Sequence, residues 1–96
     1  MEREDWRLFH GWDLLPEHHF LGKLLRIYQR LTRLSEFIDT LKDNPVPFRK
    51  FDLKKLKGKK DRYRARLGDF RLTYQVDKKE KVILLLKLER IGSEYK

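Results

Sequence analysis

Two runs of strict alternation, separated by two residues, leave this chain few ways to fold between positions 61 and 76. In the first run Tyr63, Ala65 and Leu67 alternate with Arg62, Arg64 and Arg66. In the second, Phe70, Leu72, Tyr74 and Val76 alternate with Arg71, Thr73, Gln75 and Asp77. A period of two is that of a strand with one buried face. The intervening Gly68-Asp69, glycine first, suits a two-residue II′ turn and sets the register of a hairpin. Leu67 then faces Phe70, Arg66 faces Arg71 and Arg64 faces Thr73. Four arginines share the face opposite the apolar residues.

The rest of the chain reads as helix and then sheet. Residues 6–10 suit a short first strand, after which Gly11, Asp13 and Pro16 punctuate the chain. From Leu21, the residues Leu24, Leu25, Tyr28, Leu31, Leu34, Ile38 and Leu41 recur at spacings of three and four, the period of an amphipathic helix. That pattern, about 17–43, is long enough to allow a break into two antiparallel helices at 29–34, although no Gly or Pro marks one. Pro45 and Pro47 stop it, because proline lacks a donor and pushes the preceding residue out of the helical region. Residues 82–88 are apolar on both faces, which predicts a central strand. Residues 89–96 read as a polar tail containing Tyr95.

Composition narrows the chemistry. At 96 residues the chain is expected to be one domain, 1–96. It has no cysteine, which removes disulfides, thiolate ligands and thiol nucleophiles and suits a reducing cytoplasm. The run 82–86 is too short to cross a bilayer, so no membrane association is expected. His10, His18 and His19 have no metal-ligand spacing, so neither a metal nor a cofactor is expected. The formal net charge is +9. A surface rich in Lys, Arg and Glu is also what a thermophile displays. Here, however, residues 49–71 hold 11 basic and 3 acidic side chains, while residues 1–48 hold 7 and 8. The excess is local, and a local excess favours a polyanionic partner.

Like charges facing each other across a sheet are destabilising. An arginine face of this kind therefore calls for an anion. The guanidinium fork stays protonated and matches phosphate bidentately. Arg62, Arg64, Arg66 and Arg71, flanked by Lys54, Lys55, Lys57, Lys59 and Lys60, form a candidate phosphate surface. The alternative is that these arginines pair with Asp61, Asp69 and Asp77 or lie extended in solvent.

The segments from Phe51 to Gly58 and from Tyr63 to Tyr74, with the Asn44-Pro-Val-Pro stop and the terminal Glu94-Tyr95-Lys96, resemble the RelE/ParE toxin superfamily, archaeal RelE-like members in particular. The resemblance implies an α+β fold, N-terminal helices packed on a twisted antiparallel sheet of about four strands, with the active site on the open sheet face. It implies a toxin of a type II toxin–antitoxin system: a metal-independent endoribonuclease that cuts messenger RNA in the ribosomal A site by attack of the ribose 2′-OH. The implied partners are a RelB-like antitoxin and, only through the antitoxin complex, operator DNA. By position, Arg64 and Arg66 match the basic pair on the first hairpin strand, Arg71 the arginine after the turn, Arg90 a basic residue before the tail, and Tyr95 the C-terminal tyrosine. Arg66 and Arg71 would stabilise charge on the phosphorane and Arg64 would orient the phosphate. Arginine is a poor general base. The proton acceptor stays open, with Tyr95 as one candidate. Two other readings share the fold: a ParE-like inhibitor of DNA gyrase, and a catalytically inactive RNA-binding homologue.

Overall fold

The computed structural model describes residues 12–91. The strand expected at 6–10, and Tyr95 with the end of the tail, lie outside the described residues. Strand β1 (Asp13–Pro16) leads through a 3-10 turn (His18–Phe20) into helices α1 (Leu21–Arg30) and α2 (Thr32–Asp43). Strands β2 (Asp52–Lys55), β3 (Arg62–Leu67), β4 (Phe70–Asp77) and β5 (Val82–Arg90) follow. They form one sheet in the order β1-β5-β4-β3-β2.

The α+β class is as expected, but the sheet has five strands instead of about four, and it is mixed: β1 runs parallel to β5, and the other pairs are antiparallel. Asp13 and Pro16, which read as punctuation, lie inside β1. The N–H groups of Asp13 and Glu17 donate to the carbonyls of Lys81 (3.1 Å) and Leu85 (2.9 Å). Alternate nitrogens, Pro16 included, therefore point away from β5, and an edge position of that kind tolerates proline.

The helical stretch breaks within the expected window, at Leu31. That residue adopts an extended conformation (φ −113, ψ 102), and its N–H closes the last turn of α1 on Ile27 at 2.8 Å. Asn44 ends α2, and its Oδ1 accepts the Val46 N–H at 3.1 Å, turning the chain into the proline segment. The buried stripe holds on α2 through Leu34, Phe37, Ile38 and Leu41. It narrows on α1, where Leu24 alone is fully buried while Leu21 and Leu25 are exposed. Their helical phase places them beside the line of Leu24, Ile27, Tyr28 and Leu31 that meets the core.

The helix side of the sheet contributes Tyr63, Ala65, Leu67, Leu72, Tyr74, Val76, Ile83, Leu85 and Leu88 to that core. Both Leu85 and Leu88 are buried despite an odd spacing, because the β4–β5 ladder shifts by one residue between Thr73 and Tyr74. Lys87 faces Thr73 and Leu85 faces Tyr74, leaving Leu86 as the extra residue of a bulge. This also explains why the strand is apolar in consecutive positions, and it extends the strand to Arg90, into what read as tail.

Tyr74 links the layers. Its hydroxyl donates to the Pro45 carbonyl at 2.8 Å and its ring stacks on Tyr63. Burial, and secondarily the neighbouring Tyr63, hold the hydroxyl pKa well above the ordinary tyrosine range. The unfolded chain ionises this group near pH 10, whereas the folded protein keeps the proton. The resulting stability is complete below that pH and falls as pH rises through it. Tyr74→Phe is expected to cost about 1–2 kcal/mol at neutral pH and to flatten the alkaline loss. Urea midpoints measured from pH 7 to 11 check both; parallel pH curves for the two proteins would refute the second.

Candidate functional site

The hairpin forms in the expected register, with Arg66 across from Arg71, Arg64 from Thr73 and Leu67 from Phe70. Gly68 has φ 63, and Asp69 is not among the positive-φ residues, the combination a II′ turn requires. Alternation buries Tyr63, Ala65 and Leu67 against the helices and sends Arg64 and Arg66 to the open face. On the far side of β3, strand β2 pairs Asp52 with Arg66 and Lys54 with Arg64. The side chains of Asp52, Lys54, Arg64, Arg66 and Arg71, closed at one end by Ile91, line a cleft of about 570 Å³.

Three guanidinium groups and an ammonium therefore converge on one open hollow. Arg71 is part-buried within this arrangement: its Nη2 lies 3.2 Å from Glu89 Oε1, and both side chains are about one-quarter exposed. The second carboxylate oxygen of Glu89 is 2.9 Å from Lys87 Nζ. The β5 bulge makes this contact. In a regular ladder with Leu86 paired in place, positions 87 and 89 would continue the phase of Ile83 and Leu85 and face the core. Glu89 holds Arg71 in place, while Arg64 and Arg66 form the rest of the cationic wall.

The other sequence candidates lie elsewhere. Arg62 shares the face but donates from Nε and Nη2 to Gln75 Oε1 (3.0 and 2.6 Å) and is not among the residues that line the cleft. Lys55 pairs with Tyr63 and so occupies the helix-side phase of β2. Lys57, Lys59 and Lys60 are exposed in the turn before β3, and Lys60 lines a separate hollow with Asp61, Gln75 and Asp77. Asp61, one of the acids weighed as an arginine partner, pairs with Lys78 at 3.6 Å. Arg90 is not brought to the arginines. It pairs with Phe70, its guanidinium 6.0 Å from that ring, and lines a groove with Lys23, Arg26 and Arg30 of α1. Trp12 packs against the core.

Two acids of the site, Asp52 and Glu89, escaped the sequence reading. Asp52 had a signal: Phe51 and Leu53 alternate with Asp52 and Lys54, a short period-two run. Glu89 had none, because its side depends on the bulge.

The likeness to known proteins is direct. The model of the ParE toxin of type II toxin–antitoxin systems matches residues 18–90. A curated Methanocaldococcus jannaschii protein bearing the toxin name RelE1 is 44% identical over 66 residues, covering 69% of this chain and 73% of the relative. The archaeal RelE–RelB complex of Pyrococcus horikoshii contains a chain that superposes with a TM-score of 0.70 at 41% identity, over 84% of this chain and 96% of that one. The RelB–RelE complex of Methanococcus jannaschii gives a TM-score of 0.63 at 24% identity, over 84% and 94%, a likeness of fold. The matched span includes both helices and every basic residue of the cleft, and on that ground the chain belongs to the RelE/ParE superfamily of toxins of type II toxin–antitoxin systems.

Proposed function

We propose that this toxin is an endoribonuclease that cuts messenger RNA in the ribosomal A site, the ribose 2′-OH attacking the adjacent phosphate. The observation that carries the reading is the convergence of Lys54, Arg64, Arg66 and Arg71 on one open cleft. Fixed cationic donors of this kind stabilise the charge that grows on a phosphorane. In this reading a RelB-like antitoxin, the kind of partner seen with the Pyrococcus horikoshii relative, restrains the toxin in the cytoplasm, and operator DNA is contacted only through that complex. None of the described helices is long and apolar enough to cross a membrane.

The match to a ParE model supports a second reading, inhibition of DNA gyrase. Purified toxin assayed side by side on programmed ribosomes and on gyrase supercoiling separates the two. Cleavage of messenger RNA with supercoiling intact is expected; the reverse result would replace the first reading by the second.

RNA affinity should also depend steeply on salt. Four cations displacing counterions from a single strand give a slope of log K against log salt of about −3. Filter binding from 50 to 300 mM salt measures it, and a flat line would count against RNA as the ligand.

A further inference from the structure

None of the cleft arginines can take the 2′-OH proton, because a guanidinium cannot give up its own. Glu89 lies close by, but both of its oxygens are engaged, one by Arg71 and one by Lys87. Asp52 differs. It lines the same cleft from exposed edge strand β2, directly across from Arg66, and makes no hydrogen bond or ion pair among the described residues. Its lone pairs face the cleft uncommitted.

Two residues along the same strand, Lys54 also lines the cleft, across from Arg64. Residues i and i+2 share a face and are separated by about 7 Å, enough to flank a phosphate from two sides. One member of the pair carries a proton to give, and the other has lone pairs to receive one.

Resting on the ribonuclease reading, we propose that β2 supplies the acid–base pair of the reaction: Asp52 is the general base and Lys54 the general acid. The Asp52 carboxylate takes the proton of the 2′-OH as the 2′-oxygen bonds to phosphorus. The bond from phosphorus to the 5′-oxygen breaks, its electron pair stays on that oxygen, and the Lys54 ammonium protonates it. The products are a 2′,3′-cyclic phosphate and a 5′-hydroxyl. Arg64, Arg66 and Arg71 carry the charge on the phosphoryl oxygens throughout, and no proton passes through them.

The test is single-turnover cleavage on programmed ribosomes at saturating toxin, with ordinary messenger RNA and with a message whose scissile 5′-bridging oxygen is replaced by sulfur. A thiolate leaves without a proton. Asp52→Asn should slow cleavage of both messages roughly 100-fold or more, with Asp52→Glu recovering part of the loss. Lys54→Ala should be slowed to a similar degree on the ordinary message and restored to near the wild-type rate on the sulfur-bridged one, a rescue that lost RNA affinity or lost folding cannot mimic. Cleavage by Asp52→Asn within about threefold of wild type overturns the base, and equal slowing of Lys54→Ala on both messages overturns the acid. A wild-type toxin that leaves messenger RNA intact overturns the ribonuclease reading itself, and this assignment with it.

Discussion

Replacing Arg71 by alanine is expected to lower messenger RNA cleavage about 100- to 1,000-fold, the scale seen when one preorganised charge stabiliser is removed. Two features make this the most sensitive of the cleft arginines. Arg71 is held by Glu89 in a part-buried pair, so its donors are oriented before substrate arrives. Its loss also removes one of the cations that face the Glu89 carboxylate beside the cleft, adding unwanted negative charge where a phosphate must sit. Arg71→Lys keeps the charge but loses the planar fork, and should fall between the two. Arg62→Ala serves as the contrast, because that guanidinium is spent on Gln75, and a loss of less than about fivefold is expected. Single-turnover rates for the three variants give the comparison; an Arg71→Ala toxin that still cleaves and still arrests translation would remove the cleft from the mechanism.

The largest stability effect is expected at Phe37. Its ring is fully buried in the middle of α2 and meets Phe51 edge-on at 4.9 Å and Tyr74 at 5.7 Å. Phe37→Ala opens a cavity between helix and sheet that these neighbours cannot fill, costing about 3–5 kcal/mol. Small domains hold about 5–15 kcal/mol in total. A fall in melting temperature of about 15 °C or more should follow, read by calorimetry. A cost below about 1 kcal/mol would mean that α2 is not seated on the sheet as described. Phe37 occupies the helix face opposite the cleft, so at temperatures where the variant remains folded its cleavage rate should be close to wild type.

What could be read from the chain alone follows the range of the forces involved. The β3–β4 hairpin was legible to the level of register because its information is local: a period of two, and a turn that needs glycine first. The helix pair was legible from its spacing, and its stop from two prolines. Strand β1 was not, since Asp13 and Pro16 disfavour a strand and the segment is one only through parallel pairing with β5, some 70 residues away. Strand β2 was hidden by its charge, as edge strands often are. The site divided along the same line. The arginines on β3 and β4 came from the hairpin pattern, whereas Asp52 reaches the cleft through the pairing of the short, charged β2 with β3 and Glu89 through the bulge of β5 against β4, and Arg90 fell on the other face because the strand phase reverses before it.

That reversal makes Leu86 a setting for the whole end of strand β5. Held in an unbroken ladder with Leu86 paired, the same residues would exchange inside for outside from position 87 onward: Lys87 and Glu89 would turn toward the apolar layer, Leu88 would face solvent, and Arg71 would lose its brace. Deleting Leu86 does the opposite. Leu85 would then run straight into Lys87, the pairings of Tyr74 with Leu85 and of Thr73 with Lys87 would stand, and Lys87 and Glu89 would keep the cleft side. In a lineage of such toxins, loss of that single codon would straighten the strand and leave the cleft intact.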